Sequence, residues 1–447
     1  MNNNKTPIAD FVRQYATSGT SRLHMPGHKG KSFLGCEAFD ITEIKGADSL
    51  YEAESIIAES EENATKLFGS KKTLLGTEGS SQCIRAMLYL AMISKKVEGR
   101  PTVIAARNVH KSFIYAATLL DFDVVWLWPE DDATTICSCY VSAKTIENEI
   151  EKHKSSVVAV YVTSPDYLGG MDDIKEIADV CHAHEVVLAV DNAHGAYLHF
   201  LENSKHPLDL GADICCDSAH KTLPVLTGGA YLHIGKNAPD VFCEQAKHAM
   251  SLFGSTSPSY LIMTSLDLCN EYLANGYRQR LCETIAMRNK YCDKLHDNGW
   301  RVRHSDKLKI TVEIPKAVDV NDVVKKLNDN NIECEYADPD FLVLMITPEN
   351  TREDLDKLIL ALGVNTVDYE EKEAIALCKT TSVMPIRQAM FTQPETVTVD
   401  NALGRICRVP TVSCPPAIPI AVPGEIIDEK MITLFKYYGI EEIDVVK

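Results

Sequence analysis

The segment TEGSS, residues 77–81, joins a glycine to two hydroxyl side chains directly before a predicted helix. Gly79 allows a bound group to approach the backbone closely, and Ser80 and Ser81 supply hydroxyl donors. The free N–H groups and the positive dipole end of a helix N-terminus favour an anion. This segment predicts a site for one phosphate group, although a Gly-Ser-Ser turn is more commonly a simple helix cap.

Two charged residues follow predicted buried strands. Asp191 ends the run EVVLAVD, and Lys221 lies in DSAHKTLPVLTGG, just after the run ADICC. A carboxylate at the end of a buried strand is costly unless it has a partner, and a protonated pyridine nitrogen is one such partner. A desolvated lysine can act as an amine nucleophile and form a Schiff base. Taken singly, Asp191 is equally typical of a turn cap, and a lysine such as Lys221 is more commonly a surface residue.

The spacing of the three features favours one shared ligand. Asp191 and Lys221 are 30 residues apart with one predicted strand between them, so they can lie at neighbouring strand ends and face one ring. The Gly-Ser-Ser turn lies far upstream, as expected of a phosphate site on a separate crossover. One small phosphorylated aldehyde, pyridoxal 5'-phosphate (PLP), accounts for all three features.

These segments are set among alternating strand-like and helical patterns between about residues 60 and 300. Apolar runs without polar alternation are typical of strands buried on both faces of a parallel sheet, and such α/β sheets bind ligands at the carboxyl ends of their strands. The predicted strands are PTVIAA, DVVWLW, SVVAVYVTS, VVLAVD, ADICCDS and GAYLHI. The predicted helices include ESIIAESEENATKLFG, SQCIRAMLYLAMISKK and IKEIADVCHAH, and TLLGTEGSS is predicted as a short apolar turn.

The chain is therefore predicted to be an α/β protein with a smaller C-terminal α+β part. After residue 300, strand and helix patterns alternate in KITVEIP, VNDVVKKLNDNNI, FLVLMITP and REDLDKLILALG. The proline-rich segment SCPPAIPIAVPGE excludes a regular helix or a central strand, and DEKMITLFKYYG predicts a final amphipathic helix. The predicted divisions are an N-terminal arm, 1–55, a large cofactor-binding domain, 56–300, and a small domain, 301–447.

Composition narrows the range of partners. The formal net charge of −18 opposes binding to nucleic acid or to an anionic membrane, because phosphate groups would be repelled. No run approaches the roughly 18–20 apolar residues of a membrane helix, and the start lacks a signal-peptide pattern, so a cytoplasmic protein is expected. No metal site is predicted: the cysteines lack C-x-x-C spacing, and His182 and His184 would point to different faces of a helix.

Eight segments follow one another in the order found in a known enzyme family. They are RLHMPGHKG (22–30), DITEIKGADSLY (40–51), RNVHKS (107–112), TSPDYLGGMDDI (163–174), VDNAHGAYL (190–198), DSAHKTLPVLTGGAYLHI (217–234), STSPSYLIMTSLD (255–267) and GRICR…PPAIPIAVPGE (404–425). On these segments the sequence resembles the ornithine/lysine/arginine decarboxylases of PLP fold type I. The resemblance implies an aspartate-aminotransferase-like large domain with a mostly parallel sheet, in a short form without the N-terminal wing domain of the long members.

The resemblance also implies roles around the cofactor ring. Lys221 would hold the cofactor as a Schiff base, and Asp191 would pair with the pyridine nitrogen. His110 would stack on one face of the ring, with Ala193 or His194 on the opposite side.

Further positions match the surroundings of the phosphate group. Thr256 or Ser257 matches a segment that reaches the phosphate from a neighbouring subunit, which implies a homodimer or a higher homo-oligomer. The residues implied near the phosphate are Gly79, Ser80, Ser81, Ser218, His220, Thr256 and Ser257.

The implied reaction is decarboxylation of a basic amino acid, namely arginine, lysine or ornithine, to an amine of polyamine biosynthesis. The carboxylate leaves more easily from a desolvated site, and Lys221 or His220 would then return a proton to Cα. Candidates for binding the cationic tail are Glu43, Asp48 and Glu52, for which an acidic surface patch is the alternative.

Several positions depart from the family pattern, and two alternatives to decarboxylation stay open. The departures are Cys83 and Ala417 at usual glycines, Asn192 and Gln388 at usual glutamates, Tyr197 at a usual histidine, and Arg408 near a usual glutamate. Transamination or lyase chemistry would use an arginine for the substrate α-carboxylate, with Arg387, Arg405 and Arg408 available. A PLP-binding protein without catalysis is the other alternative.

Overall fold

The computed structural model describes residues 5–130, 135–303, 306–370, 379–411 and 416–447. The chain divides into two compact units, Met1–Lys96 with Val187–Leu281 and Val97–Val186 with Cys282–Lys447. The division into an arm and two domains at residues 55 and 300 stays a prediction.

The strands of the described residues are β1 Lys72–Gly76, β2 Thr102–Ala106, β3 Asp123–Leu127, β4 Val157–Thr163, β5 Val187–Asp191, β6 Ile214–Asp217, β7 Ala230–Ile234, β8 Val302–Arg303, β9 Lys309–Glu313, β10 Tyr336–Ala337, β11 Phe341–Met345, β12 Pro394–Thr398 and β13 Glu442–Val446. The α-helices are α1 Pro7–Thr17, α2 Ile56–Phe68, α3 Gly79–Ser94, α4 Lys111–Leu120, α5 Ala143–Lys152, α6 Ile174–Ala183, α7 Ala219–Thr222, α8 Asp240–Ser251, α9 Tyr260–Ala274, α10 Tyr277–Asp297, α11 Val320–Asp329, α12 Arg352–Leu362, α13 Ile386–Met390 and α14 Glu429–Tyr437. None of the described helices is both long and apolar enough to cross a membrane.

The first unit carries four strands in the order β1-β7-β6-β5. Strands β5 and β6 are parallel, and β7 runs antiparallel to both β6 and β1. Every residue of β5, β6 and β7 is buried, as their apolar runs predict. The prediction of a turn over TLLG was wrong: Leu74 and Leu75 are buried in β1, and backbone pairing with β7 extends the chain there.

The second unit carries three parallel strands in the order β4-β2-β3, with α4, α5 and α6 between and after them in the chain. A separate antiparallel sheet has the order β10-β11-β9-β8, and α11 and α12 alternate with its strands along the chain. Strands β12 and β13 form an antiparallel pair beside an apolar cluster that includes Phe435 and Val445. The predicted α/β fold with a mostly parallel sheet and a smaller C-terminal α+β part is confirmed.

Candidate active site

Asp191 ends β5 as a buried carboxylate that is held on two sides. Its Oδ1 accepts the backbone N–H of Ala193 at 3.1 Å and faces the thiol of Cys216, the opposite residue on β6, at 3.8 Å. The turn-capping role that the sequence left open is therefore present. The same contacts hold the carboxylate at the strand end, where α/β sheets bind ligands.

Lys221 lies on the single-turn helix α7, four residues after the end of β6. Its amine Nζ lies 2.9 Å from Nε2 of His194, and the Lys221 side chain is half-buried. This excludes the simple surface lysine that was the alternative. His194, expected beside the cofactor ring, thus contacts the amine, a pairing that the sequence did not predict because the two residues follow different strands.

The phosphate-binding residues predicted from TEGSS meet those predicted after β6. The hydroxyl of Ser218 donates to Oγ of Ser80 at 2.8 Å, in the first turn of α3. Gly79 begins α3 with a φ of +69°, a left-handed conformation that favours glycine, and its N–H donates to the carbonyl of Gly228 at 2.7 Å. Ser81 is half-buried in the same turn. Two hydroxyl groups at a helix N-terminus form a donor set that suits a phosphate.

His220 is oriented by the backbone of the first unit. Its Nδ1 donates to the carbonyl oxygen of Gly229 at 2.9 Å, because a carbonyl only accepts. A Cβ added to Gly79 would lie 4.0 Å from Cε1 of His220, so the ring borders the start of α3. The Nδ1 contact leaves the lone pair of a neutral imidazole on Nε2, which suits a group that exchanges protons.

Thr256 and Ser257 lie in the exposed loop between α8 and α9. The backbone N–H of Ser255 donates to the carboxylate of Glu78, and that of Ser257 donates to Oγ of Ser255 at 3.1 Å. Among the described residues, no hydrogen bond joins Thr256 or Ser257 to the Ser80–Ser218 pair. Their role across a subunit boundary stays a prediction.

His110 belongs to the second unit, where it caps the N-terminus of α4 after β2. Its Nδ1 accepts the N–H of Ser112 at 3.2 Å and lies 2.9 Å from the Ser112 hydroxyl. The neighbouring N–H of Lys111 donates to the carbonyl of Ala417 at 2.9 Å. Ala417, at a usual glycine of the family, has a φ of +62°. The stacking role of His110 stays a prediction, but its ring is oriented by the helix cap.

Arg107 orients the chain before His110, a role that was not predicted from the sequence. It is fully buried and donates to the carbonyls of Pro419 at 2.7 Å and Ile420 at 3.0 Å, and it pairs with Glu425 at 3.3 Å. Arg107 begins the motif RNVHKS and all three partners lie in the motif PPAIPIAVPGE, so the presence of both motifs was the signal in the sequence. Arg107 fixes the end of β2, three residues before His110.

The three arginines proposed for a substrate carboxylate all have structural partners. Arg387 donates to the carbonyl of Thr118 at 2.9 Å, and Arg408 to those of Thr392 and Met390 at 2.9 and 3.1 Å. Arg405 pairs with Glu395 at 2.5 Å. These contacts do not favour a role as the α-carboxylate anchor of an aminotransferase.

The acidic candidates for the substrate tail differ in their surroundings. Asp48 accepts the backbone N–H groups of Ser55 at 2.8 Å and Ile57 at 3.1 Å, and these bonds help hold its pKa below the usual range despite its burial. It therefore caps α2. Glu43 and Glu52 are exposed.

The first unit thus brings together a half-buried amine, a buried carboxylate and a hydroxyl pair at a helix N-terminus. This set fits a phosphorylated pyridine aldehyde: Lys221 can bind the aldehyde carbon, Asp191 a ring N–H, and Ser80 with Ser218 the phosphate.

Comparisons with known proteins agree with this chemistry. Profiles of the Orn/Lys/Arg decarboxylase major domain and C-terminal domain match residues 6–358 and 374–443. The arginine decarboxylase of Bacillus subtilis is 27% identical over 98% of this chain and 94% of its own length. The lysine decarboxylase of Francisella novicida superposes with a TM-score of 0.80 at 18% identity, covering 100% of this chain and 82% of that one. Lysine decarboxylase A of Pseudomonas aeruginosa also gives a TM-score of 0.80, at 16% identity over 99% of this chain and 80% of that one. The chain belongs to the Orn/Lys/Arg decarboxylase family.

Proposed function

We propose that this chain binds PLP through Lys221 and decarboxylates arginine, lysine or ornithine to the corresponding amine and carbon dioxide. The observation that carries the proposal is the placement of the Lys221 amine on His194. Asp191 and the Ser80–Ser218 pair belong to the same unit, in a chain whose family acts on basic amino acids.

The residues of the chain divide the work according to their chemistry. When bound, the cofactor accepts the electron pair that is released as the carboxylate leaves. Asp191 keeps the ring nitrogen protonated, and the contacts from Ala193 and Cys216 keep Asp191 in place. Ser80, Ser81 and Ser218 hold the phosphate with the N–H groups of α3.

Proton transfer falls on the groups near the amine. His194 can take or return a proton at Nζ of Lys221, since the two nitrogens are 2.9 Å apart. His220, whose Nδ1–H donates to Gly229, can return a proton to Cα through Nε2 after that nitrogen has taken one up from solvent. His110, held by Ser112, would cover one face of the ring and exclude water from it.

We further propose that the protein acts in the cytoplasm as a homodimer or a higher homo-oligomer. Thr256 and Ser257 are exposed on their own chain, which supports a role toward the phosphate of a neighbouring subunit. The arginines that an aminotransferase would need have backbone or carboxylate partners, which supports decarboxylation over transamination. Glu43 and Glu52 are better candidates than Asp48 for binding a cationic tail.

The proposal is tested with wild-type protein, Lys221→Ala and the control Lys72→Ala. Lys72 is a half-buried lysine of the same unit whose amine donates to the carbonyl of Cys243 at 2.9 Å. We expect a visible absorption band after PLP addition and carbon dioxide release from one of the three basic amino acids. Both should be lost in Lys221→Ala and retained in Lys72→Ala. A Lys221-dependent band without carbon dioxide from arginine, lysine or ornithine would refute the proposed reaction.

A further inference from the structure

A buried chain of hydrogen bonds runs beneath the strand ends of the first unit and is not used by the mechanism. Asp217 at the end of β6 accepts Nδ2–H of Asn192 at 2.6 Å on Oδ1. Its Oδ2 lies 3.1 Å from Nε2 of His206 and 3.2 Å from Nε2 of His233. His233 on β7 continues to the hydroxyl of Thr73 on β1 at 2.8 Å. The chain of contacts therefore connects the ends of four strands.

The direction of the His206 hydrogen bond follows from one backbone group. Nδ1 of His206 accepts the N–H of Leu208 at 3.3 Å, so the ring proton is on Nε2 and points at Asp217. A metal bound to Nε2 would require the proton on Nδ1, directly against that N–H. The Asp217 carboxylate thus accepts hydrogen bonds from two imidazoles, and all three side chains are fully buried.

The network is directly adjacent to the cofactor residues along the chain. Asn192 follows Asp191, and Asp217 precedes Ser218. The backbone N–H of Asn192 also donates to the carbonyl of Cys216 at 3.0 Å, so the side-chain bond from Asn192 to Asp217 lies just beyond the last backbone pairing of β5 and β6. A shift of this side-chain bond would move Asp191 and Ser218 together.

Asn192 stands where the family pattern has a glutamate, and the structure gives a reason. A carboxylate at this position would face the Asp217 carboxylate at the distance of a hydrogen bond, where two buried like charges repel. Space is limited as well, because Asn192 is fully buried and a Cβ on Gly195 would lie 1.9 Å from its Oδ1. In this chain the buried negative charge is therefore on Asp217 of β6, and the residue that faces it, Asn192, must be a neutral hydrogen-bond donor.

We propose that Asn192 and Asp217 form a positioning pair, a neutral donor opposite a carboxylate, that holds Asp191 and Ser218 in the positions needed to bind the cofactor. The inference rests on the proposed function, because it assigns the cofactor ring to Asp191 and its phosphate to Ser218. Neither member of the pair is assigned a contact with the cofactor. Both act through their neighbours in the chain.

The test is an exchange of the two side chains. Asn192→Asp should lower the unfolding temperature and weaken PLP binding by about tenfold or more, as the loss of a residue that orients a metal ligand weakens metal binding. The double variant Asn192→Asp/Asp217→Asn restores one carboxylate and one amide, since the new asparagine oxygen accepts from both histidines and its NH₂ donates to the new aspartate. We expect it to recover PLP affinity to within about threefold of wild type.

Asn270→Asp is the matched control. Asn270 is a buried amide of the same unit that donates to the carbonyl of Ser60 at 3.2 Å and accepts from the Tyr231 hydroxyl at 2.9 Å, and it is not among the hydrogen-bond partners of Asp217 described above. It should lose stability and keep the PLP affinity of wild type. If Asn192→Asp does not fold, a folded double variant with normal affinity supports the pair. Wild-type affinity in Asn192→Asp, or a double variant no better than the single one, would overturn it.

Measurements on the protein without cofactor distinguish a failure of the proposed function from a failure of the positioning pair. If wild type shows no Lys221-dependent PLP binding, the assigned cofactor role fails. The unfolding temperatures of the single and double variants without cofactor still report whether the two side chains are coupled. No rescue of that temperature in the double variant would overturn the pair itself.

Discussion

Asp217 and Asp267 are both fully buried carboxylates of the first unit, and each accepts hydrogen bonds from three donors. Their pKa values move in opposite directions. Burial alone would raise the pKa of Asp217, but the imidazoles of His206 and His233 hold it well below its usual range. Burial raises the pKa of Asp267 to about 6, because the hydroxyl of Ser60 and the backbone N–H groups at the start of α1 do not offset the loss of water. The number of donors therefore matters less than their chemistry.

The two carboxylates also serve different parts of the unit. Asp267 on α9 accepts the N–H groups of Ile8 and Ala9, both at 3.0 Å, and so anchors the first turn of α1. Asp217 holds strand ends together. Loss of the Asp267 carboxylate should release α1, and loss of the Asp217 carboxylate should disturb the candidate active site.

The largest effect is expected from Asp217→Ala. Removing this carboxylate leaves the buried donors of Asn192, His206 and His233 without an acceptor, so the free energy of unfolding should fall by about 3–5 kcal/mol. Urea unfolding followed by circular dichroism measures this loss. Asp240→Ala is the control: Asp240 is exposed and pairs with Lys71 at 2.7 Å, so no measurable change is expected. Equal stability of Asp217→Ala and wild type would contradict the network.

Asp267→Ala should cost less, about 2–3 kcal/mol, because the uncovered N–H groups at the start of α1 can reach water once the helix loosens. Proteolysis at α1 should become faster, while PLP affinity stays within about twofold of wild type. These two results together distinguish the role of Asp267 at α1 from that of Asp217 at the strand ends. A loss of PLP affinity matching that of the Asp217 variant would remove the distinction.

The pH dependence of stability should differ in sign between the two sites. The lowered pKa of Asp217 means that its contribution is present above the unfolded value and is lost as the pH falls through the acid range. The raised pKa of Asp267 means that its contribution is largest below 3.8 and is lost as the pH rises toward about 6. Unfolding free energies of wild type, Asp217→Asn and Asp267→Asn between about pH 2 and pH 8 test this, because the Asp217 contribution is lost only below its unfolded pKa. Parallel curves for the two variants would refute it.

The smallest effect on stability is expected from Ala417→Gly, because this substitution involves no buried charge. Ala417 adopts a φ of +62° beside the helix that His110 caps, and an alanine in this conformation costs about 1–2 kcal/mol. Ala417→Gly should relieve that cost, and part of the gain is lost to the greater freedom of glycine in the unfolded chain. A net stabilisation of about 1 kcal/mol in urea unfolding is expected. A loss of stability would show that the methyl group contributes packing.

Much of the candidate site could be predicted because it depends on local patterns. Continuous apolar runs indicated β5 and β6, and residues that follow buried strands reach the ligand-binding edge of a sheet. Asp191, Lys221 and Ser218 could therefore be placed at strand ends. The Ser80–Ser218 bond agrees with the phosphate site predicted from a helix start. Residues 72–76 were missed because their strand depends on a partner, β7, from far along the chain.

The sequence by itself determined the strand ends, the helix starts and the family, because periodicity and motif order are properties of neighbours along the chain. Only the tertiary structure decided which side chains meet. The pairing of Lys221 with His194, and of Asp217 with Asn192, His206 and His233, joins residues that follow different strands or lie on different strands. Their energies depend on burial and on distances of about 3 Å. Neither quantity exists until the sheet has formed.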